Sequence, residues 1–456
     1  MSTNDPSAGH AVVVGGSIGG LLAARVLSEA YKSVTVIDRD KFPDEPQHRK
    51  GVPQSRHTHG LLAKGLEVFE SLLPGLEADL VKCGALFRDL QNDVIWHADG
   101  YKYFRAPSSL KVLLTSRTQL EWYVRSRVRS LPQVRIIDRT EAVGLQEVGG
   151  RIAGVHIVDQ NGAATLPARI VVDATGRGNR GPAWLADLGY AEVEEEIVRA
   201  NIVYVSREYH RAPSDQDFDG IIHGHYPSNP TGNGTFAIDG NRWLVTMLGM
   251  DGNFPSTVPG EFERFAEKLA GPELHDLITT SDPITDPIQF RIGPSVRRRY
   301  ERSPRLPDGF IAVGDSICCF NPAYGQGMTT AAMEASWLRA CLERGSDGLT
   351  QRYFQGVKRI IDVPWSITVG NDLRFPGIPG PRPIQLRMLN AYIPLVHRAA
   401  ASDRVVAETF FRVANFMTPP NRLISPSMLW RVWRARRARA DAPDSARGSR
   451  SVMRRS

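Results

Sequence analysis

Short apolar runs and helical patterns alternate near the start of the chain. Residues 11–14 are all apolar and predict a buried parallel strand, and residues 17–27 predict the helix that follows. A second apolar run, residues 33–37, predicts another strand. Strand, helix and strand in this order are typical of a β-α-β unit in a parallel sheet.

The next part of the chain mixes helices with short strands. Residues 61–73 predict a helix, and residues 94–104 predict a strand. Apolar residues recur at helical spacing after Arg117, which predicts an amphipathic helix. Residues 142–173 predict a β-meander, because glycine pairs and an Asn-Gly pair separate its apolar runs.

Beyond residue 185 the pattern changes to strands without intervening helices. Four strands are predicted, at residues 202–205, 221–226, 235–238 and 243–248, followed by a helix over residues 262–269. The turn signal Asp-Gly separates the last two strands. This region therefore predicts an antiparallel sheet.

The last third of the chain returns to the first pattern. Residues 310–313 predict a short buried strand, and a helix rich in Ala and Met follows to about residue 342. Helical segments continue beyond Arg344, with breaks predicted at Pro364 and in the Pro/Gly-rich residues 375–383. The predicted fold class is α/β: a Rossmann-like domain interleaved with an antiparallel-sheet domain, plus C-terminal helices.

The turn between the first strand and helix carries a glycine-rich motif. Its members are Gly15, Gly16, Ser17, Ile18, Gly19 and Gly20. The first glycine permits a sharp turn, and the helix N-terminus offers N–H groups to a diphosphate. Asp38 ends the second strand, near the spacing of about 20 residues expected for a carboxylate that binds ribose hydroxyls. Ser17 replaces the second glycine of G-x-G-x-x-G, and its hydroxyl is a candidate phosphate ligand.

A second glycine motif lies about 300 residues further along the chain. Gly314 and Asp315 end a strand, and residues 321–327, Asn-Pro-Ala-Tyr-Gly-Gln-Gly, lead into a helix. The N–H groups at the start of such a helix favour negative charge on the ring of a reduced flavin. The two motifs in this order indicate a flavin-binding enzyme that holds FAD non-covalently.

On these residues the chain resembles the FAD-dependent aromatic hydroxylases and epoxidases of the p-hydroxybenzoate hydroxylase fold. The resemblance implies that Asp315 contacts the ribityl chain. It also implies that Pro322, Gly325, Gln326 and Gly327 belong to a loop against the isoalloxazine ring, with Tyr324 as an active-site candidate.

The chain is most similar to a bacterial branch that includes the epoxidases of the lasalocid and monensin polyether pathways. The matching stretches are residues 38–40, 49–54, 56–59, 116–122 and 173–178. This similarity implies that Arg39 and Arg117 help to bind the cofactor. His57 and His59 become active-site candidates near the flavin edge, with bracing of the cofactor loop as the alternative.

The resemblance also implies an arrangement of domains. We expect a discontinuous FAD-binding domain formed by residues 1–184 and 285–345, and a substrate domain at residues 185–284. A C-terminal helical region then covers residues 346–434. Residues 435–456 are predicted to form a disordered basic tail.

The charge of the chain is concentrated in that tail. The formal net charge is +7, and residues 431–456 carry nine Arg against Asp441 and Asp444, which is also +7. The remainder is therefore neutral, which argues against a nucleic-acid-binding body. The apolar and basic residues from Met428 to Arg437 allow contact with an anionic membrane surface, although a docked last helix is the favoured interpretation.

Composition and cysteine usage favour a cytoplasmic setting. The 456 residues are 42% hydrophobic and 23% charged, and no apolar run is long enough to predict a membrane span. The N-terminal residues are polar and lack the apolar core of a signal peptide. Cys318 and Cys319 are interpreted as small fillers beneath the cofactor rather than as a redox pair. His57-x-His59 and His223-x-His225 lack partner ligands in sequence, and no metal is predicted.

The expected reaction follows from the cofactor. Reduced FAD would react with dioxygen to form a hydroperoxide, which epoxidises or hydroxylates a largely apolar natural-product intermediate. NAD(P)H is the expected reductant, with a separate flavin reductase as an alternative. Two other functions remain open: reduction or dehydrogenation of C–C bonds, as in geranylgeranyl reductases, and flavin binding without turnover. Halogenation is disfavoured because the Trp-x-Trp-x-Ile-Pro motif is missing.

Overall fold

A computed structural model describes residues 9–178, 180–212 and 216–437. Its α-helices are α1 Ile18–Ala30, α2 Ala63–Leu72, α3 Leu76–Lys82, α4 Leu90–Asp93, α5 Arg117–Arg129, α6 Arg180–Asp187, α7 Glu261–Ala266, α8 Glu273–Thr280, α9 Gly327–Leu342, α10 Leu349–Asp372, α11 Ile384–Ala400, α12 Arg404–Ala414 and α13 Pro426–Arg437. Its strands are β1 His10–Val14, β2 Ser33–Ile37, β3 Leu86–Asp89, β4 Val94–Ala98, β5 Tyr101–Lys102, β6 Lys111–Leu114, β7 Val134–Ile137, β8 Glu141–Val148, β9 Arg151–Asp159, β10 Gly162–Pro167, β11 Ile170–Asp173, β12 Glu195–Val198, β13 Ile202–His210, β14 Gly220–His223, β15 Thr231–Ile238, β16 Arg242–Met250, β17 Ile288–Arg291, β18 Ser295–Arg298, β19 Phe310–Ala312 and β20 Cys318–Cys319.

A five-stranded parallel sheet forms the base of the molecule. Its strand order is β19-β11-β1-β2-β7, so β19 joins the sheet about 300 residues after β1. In the centre of the sheet, Val12 pairs with Val171 on one side and with Thr35 on the other. The central strands are buried on both faces, which explains their continuous apolar runs. The predicted β-α-β unit and the α/β fold class are confirmed.

The predicted meander forms a separate three-stranded antiparallel sheet. Its strand order is β10-β9-β8. The last strand of the predicted meander, β11, joins the parallel sheet instead. Gly149 and Gly150 turn the first hairpin with φ of 61° and 81°, and Gly162 turns the second with φ of 105°. These left-handed conformations favour glycine, which is why the turn residues could be identified from sequence.

A seven-stranded sheet covers the other side of the molecule. Its order is β17-β13-β16-β15-β14-β4-β5, and the four predicted strands form its antiparallel centre as β13 to β16. Residues 94–104 are not one strand, as predicted, but the hairpin β4-β5. Asp99 and Gly100 turn it with φ of 48° and 79°. The sheet thus includes strands from outside residues 185–284, while the domain boundaries themselves stay a prediction.

Helices cover both faces of this sheet. One face packs on α7 and α8, two short helices where the sequence predicted one over residues 262–269. The other face packs on α11, α12 and α13 through Phe236 and Leu244 of the sheet. Among the described residues, no helix is both long and apolar enough to cross a membrane.

One prediction for the C-terminal region is wrong. Pro364 does not break a helix, because α10 continues through it with Ile361, Trp365 and Thr368 buried on either side. Packing of that face outweighs the local preference of proline. Helix α13 extends to Arg437, and the tail boundary at residue 435 stays a prediction. The remaining tail residues, 438–456, lie outside the described residues, and the predicted break over residues 375–383 is confirmed by the start of α11 at Ile384.

The close contact between α1 and β1 yields a stability prediction. A Cβ added at Gly20 would lie 1.8 Å from the Gly15 carbonyl oxygen, so Gly20→Ala must push the helix from the sheet. We expect the free energy of unfolding to fall by about 3 kcal/mol, as for severe overpacking. The control is Gly144→Ala, where the nearest atom is 3.5 Å away and a change below about 1 kcal/mol is expected. Equal urea midpoints for the two variants would contradict the close-contact argument.

Candidate functional site

The two glycine motifs open into a single cavity of about 520 Å³. Of the residues predicted from sequence, those that line it are Gly15, Ser17, Ile18, Gly19, Asp38, Arg39, His57, His59, Arg117, Asp315, Pro322, Gly325, Gln326 and Gly327. Three further predicted residues are not part of the lining: Gly16, Gly20 and Tyr324. The cavity continues from the parallel sheet to Tyr204 and Phe290 on the seven-stranded sheet.

The N-terminus of α1 faces this cavity without a side-chain cap. Ser17 occupies the N-cap position, but its side chain accepts no hydrogen bond from the helix, and the first turn carries no acidic residue. The N–H groups of that turn are thus available to an anion, which a helix N-terminus favours. Gly15 makes the approach possible: its φ is +112°, and a Cβ there would lie 2.3 Å from the Ala174 carbonyl oxygen.

The hydroxyl of Ser17 is already engaged within the protein. It donates to Glu121 Oε2 at 2.9 Å and accepts from Arg117 Nη2 at 2.8 Å. The expectation that this hydroxyl reaches a phosphate oxygen stays a prediction, which now has to compete with these two contacts. Ser17 connects the glycine turn to α5.

Asp38 is held with its carboxylate at the edge of the cavity. Its Oδ2 accepts the Gly16 N–H at 2.8 Å, and its Oδ1 accepts the Asp40 N–H at 2.8 Å. Two backbone donors therefore fix the orientation of the carboxylate before any ligand binds. A fixed carboxylate at the end of the second strand is suited to ribose hydroxyls.

A buried ionic cluster beside this site was not identified from sequence. Glu121 accepts from Arg49 Nε at 2.8 Å and from Arg117 Nη2 at 2.9 Å, and Arg49 also contacts Asp40 at 3.0 Å. Burial alone would raise the pKa of Glu121, but Arg117 and Arg49 outweigh it and lower that pKa to about 2. The four-residue spacing of Arg117 and Glu121 on one helix was the available sequence signal.

The second glycine motif is held from beneath by a buried carboxyl group. Gly314, with φ of +62°, donates its N–H to Glu334 Oε2 at 2.6 Å. Glu334 is fully buried, and burial raises its pKa to about 8, so the group is largely neutral at pH 7. This contact fixes the turn from which the neighbouring Asp315 faces the cavity, where Arg177 lies 3.6 Å away.

The adjacent cysteines agree with their interpretation as fillers. Cys318 and Cys319 are free and buried. Burial raises the pKa of both thiols, that of Cys319 to about 12. Because the thiolate is the reactive form, these residues are poorly suited to thiol chemistry.

The start of α9 lines the cavity through Gly327 and Met328. Gly325 has φ of +66°, and a Cβ at Gly327 would meet no protein atom within 4 Å. The first N–H groups of this 16-residue helix therefore adjoin open space. Such a helix start stabilises negative charge.

The wall on the side of the seven-stranded sheet is mainly apolar and aromatic. Tyr204 and Phe290 contact the ring of His57, with ring centroids 5.9 and 5.5 Å away. His57 Nδ1 is 2.7 Å from Ser206 Oγ, and burial lowers the pKa of His57 to about 4. Burial and the charge of Arg117 lower the pKa of His59 to about 3. Both imidazoles are therefore neutral at physiological pH.

The active-site candidate Tyr324 belongs to the loop of residues 321–327 but does not line the cavity. Its hydroxyl donates to Asp372 Oδ1 at 2.9 Å, and Asn321 Nδ2 donates to the same oxygen at 2.8 Å. Burial raises the pKa of Asp372 to about 6. These contacts attach the loop to the end of α10. Asp372 carried no recognisable sequence signal, because its partners lie about 50 residues earlier in the chain.

The structure gives His223 neighbours that the sequence did not reveal. His97 and Glu273 approach it, with candidate ligand atoms of the three residues within 4.8 Å of one another. However, the two imidazoles stack with ring centroids 4.7 Å apart, and Lys102 is already 2.6 Å from Glu273 Oε1. His57 and His59 are not part of this group.

The chain belongs to the family described as FAD binding domain, which matches residues 9–353. The open helix N-termini, the fixed Asp38 carboxylate and the turn at Asp315 fit the diphosphate, ribose and ribityl groups of FAD. The curated protein Rv3254 of Mycobacterium tuberculosis is 32% identical over 422 residues, which cover 88% of each chain.

Solved flavoprotein structures share the fold at low sequence identity. The flavin-dependent brominase Bmp2 aligns with a TM-score of 0.67 at 14% identity, covering 95% of this chain and 100% of that one. The p-nitrophenol 4-monooxygenase PnpA of Pseudomonas putida DLL-E4 aligns with a TM-score of 0.60 at 19% identity, covering 89% and 98%. PqsL of Pseudomonas aeruginosa, a probable FAD-dependent monooxygenase, gives 0.59 at 19% identity, covering 81% and 99%.

The buried ionic cluster yields a second prediction. Glu121→Gln removes the buried carboxylate that pairs with Arg117 and one of the three that surround Arg49, and we expect the free energy of unfolding to fall by about 3 kcal/mol. The control Glu67→Gln, whose side chain is 51% exposed, should change it by less than about 1 kcal/mol.

The pH dependence of this effect has a defined sign. The pKa of Glu121 is lowered from 4.5 to about 2, so its contribution is present above pH 4.5 and is lost as pH falls through 2. The difference between wild type and Glu121→Gln should therefore shrink over that range. A difference that is independent of pH would contradict the ionic origin.

Proposed function

We propose that this protein is an FAD-dependent monooxygenase that epoxidises a carbon–carbon double bond of a largely apolar natural-product intermediate. The observation that supports this most directly is the lining of the cavity. The same cavity is lined by the Gly15 turn and Asp38, by the Gly325–Gly327 loop, and by Tyr204 and Phe290 of the seven-stranded sheet. A site for a charged cofactor thus continues into a site for an apolar substrate.

The chain's own residues would bind and orient the cofactor. The α1 N-terminus would take the diphosphate, Asp38 the adenosine ribose and Asp315 the ribityl chain. The start of α9 would stabilise negative charge on the reduced ring, since its backbone dipoles are fixed before reaction. When bound, FAD supplies the activation of dioxygen that transfer of one oxygen atom requires.

The residues around the substrate end favour epoxidation over hydroxylation of a phenol. Phenol hydroxylation benefits from a base that removes the phenolic proton, whereas epoxidation needs none. His57 lines the cavity, but with a pKa of about 4 it is a weak proton acceptor. The aromatic side chains Tyr204, Phe290 and Phe320 would instead exclude water from the reacting atoms.

Other reactions on the same cofactor make different demands. A C–C reductase or dehydrogenase would use the same FAD site without inserting oxygen, and a binding protein would show no turnover. Halogenation is a further candidate reaction, because the structural neighbours include a flavin-dependent brominase. The full sequence contains no Trp-x-Trp-x-Ile-Pro motif, which disfavours it. NAD(P)H remains the proposed reductant, with a partner reductase as the alternative.

The cofactor assignment predicts the behaviour of Asp315→Ala. Loss of a charged hydrogen-bond acceptor should weaken FAD binding by about 2 kcal/mol, or roughly thirtyfold. The matched control is Asp308→Ala, which removes only a half-exposed ion pair with Arg151 and should leave FAD affinity unchanged. Affinity is measured by titrating each apoprotein with FAD and following flavin fluorescence. Equal affinities for both variants would remove the assignment.

The reaction is tested with labelled dioxygen. The holoenzyme is reduced chemically with dithionite, separated from excess reductant, and mixed with ¹⁸O₂ and an isoprenoid alkene such as farnesol. An epoxide, or its diol, that carries one labelled oxygen supports the proposal. Labelled water or peroxide without labelled product contradicts it, and a saturated product identifies a reductase. Anaerobic bleaching of the bound flavin by NADH or NADPH separately tests the reductant.

A further inference from the structure

Half of the exposed large apolar side chains lie in the C-terminal helical region. Sixteen such side chains are exposed among the described residues, and eight of them fall between residues 384 and 433. Those eight are Ile384, Met388, Leu389, Val405, Ile424, Leu429, Trp430 and Trp433. Most belong to α11 and α13, which pack against each other. We call this set the C-terminal apolar face.

Helix α13 is apolar on two sides, and only one of them is covered. Met428 and Val432 are buried against α11 and α12 and hold the helix on the protein. Leu429, Trp430 and Trp433 point outward and are 45%, 53% and 48% exposed. Exposed tryptophans are costly in water but common at the boundary between lipid headgroups and acyl chains.

Cations surround these tryptophans. The Arg434 guanidinium lies 4.7 Å from the centroid of the Trp430 ring, and that of Arg437 lies 3.9 Å from the Trp433 ring. Residues 431–456 carry nine Arg against two Asp, which accounts for the whole formal charge of +7. The described part of this segment, on α13, carries four of these arginines, of which Arg431 and Arg434 also contact Asp403.

We propose that the C-terminal apolar face docks on the surface of an anionic lipid bilayer, with α13 lying in the plane of the interface. Apolar area and cationic charge on one helix face are the two requirements for such binding. A second copy of the chain is a poorer occupant, because association through this face would bring two arginine-rich α13 helices together.

Helix α13 packs on the seven-stranded sheet, which contributes Tyr204 and Phe290 to the cavity. The cluster that holds α13 also contains Phe236 and Leu244 of the seven-stranded sheet. The proposal itself does not depend on the reaction, since it rests on exposed residues outside the cavity.

The experiment is sedimentation of the full-length holoprotein with vesicles. Binding to vesicles of phosphatidylcholine mixed with phosphatidylglycerol is expected to exceed binding to pure phosphatidylcholine by about tenfold or more, and to weaken as salt is added. The double variant Trp430→Ser/Trp433→Ser should lose about tenfold or more of the affinity for the mixed vesicles. The control Val148→Ser, at a side chain that is 66% exposed on a distant hairpin, should bind like wild type.

The design separates docking from misfolding and from self-association. FAD content and melting temperature report folding, and they should match wild type because both tryptophans are exposed. Equal binding to both vesicle types, or full binding by the tryptophan variant, overturns the proposal. The proposal is also overturned if light scattering shows a dimer, the same substitutions abolish that dimer, and the protein does not bind vesicles.

Discussion

The site depends on the close contact between the β1–α1 turn and its neighbouring strand. Gly15 approaches the Ala174 carbonyl and Gly20 lies under the Gly15 carbonyl, at distances that no side chain would permit. This contact sets the first turn of α1 at the carboxyl ends of β1 and β11, where ligands bind in open parallel sheets. The uncapped N–H groups of α1 therefore face the cavity. Every other part of the cofactor site is arranged around that turn.

Fixed charges surround the site. Glu121 compensates Arg49 and Arg117 within the protein, while two backbone N–H groups hold Asp38. On the far side Glu334 is largely neutral at pH 7, so it holds the Gly314 turn with little added negative charge near Asp315. The cavity thus combines polar, preorganised groups with an apolar part, which agrees with the proposed binding of a charged cofactor and an apolar substrate.

Sequence reasoning was most accurate where local backbone demands select particular residues. Gly15, Gly314 and the hairpin glycines were identifiable, because their positive φ favours glycine. Asp38 was identifiable from its spacing after the glycine turn. The failures have a common cause. Pro364 lies within a helix because tertiary burial outweighs local propensity, and residues 94–104 form a hairpin whose strand β4 pairs with β14, more than 100 residues later.

The sequence by itself determined the parallel unit, the antiparallel sheet and many of the residues that line the cavity. Only the tertiary structure revealed Glu121 as the counterion of two arginines, Asp372 as the anchor of Tyr324, and His97 and Glu273 beside His223. The tertiary structure also decided which side of α13 is covered and which is left exposed. The physical reason is that turns depend on neighbouring backbone conformations. Burial and charge pairing depend on residues that folding brings together from distant parts of the chain.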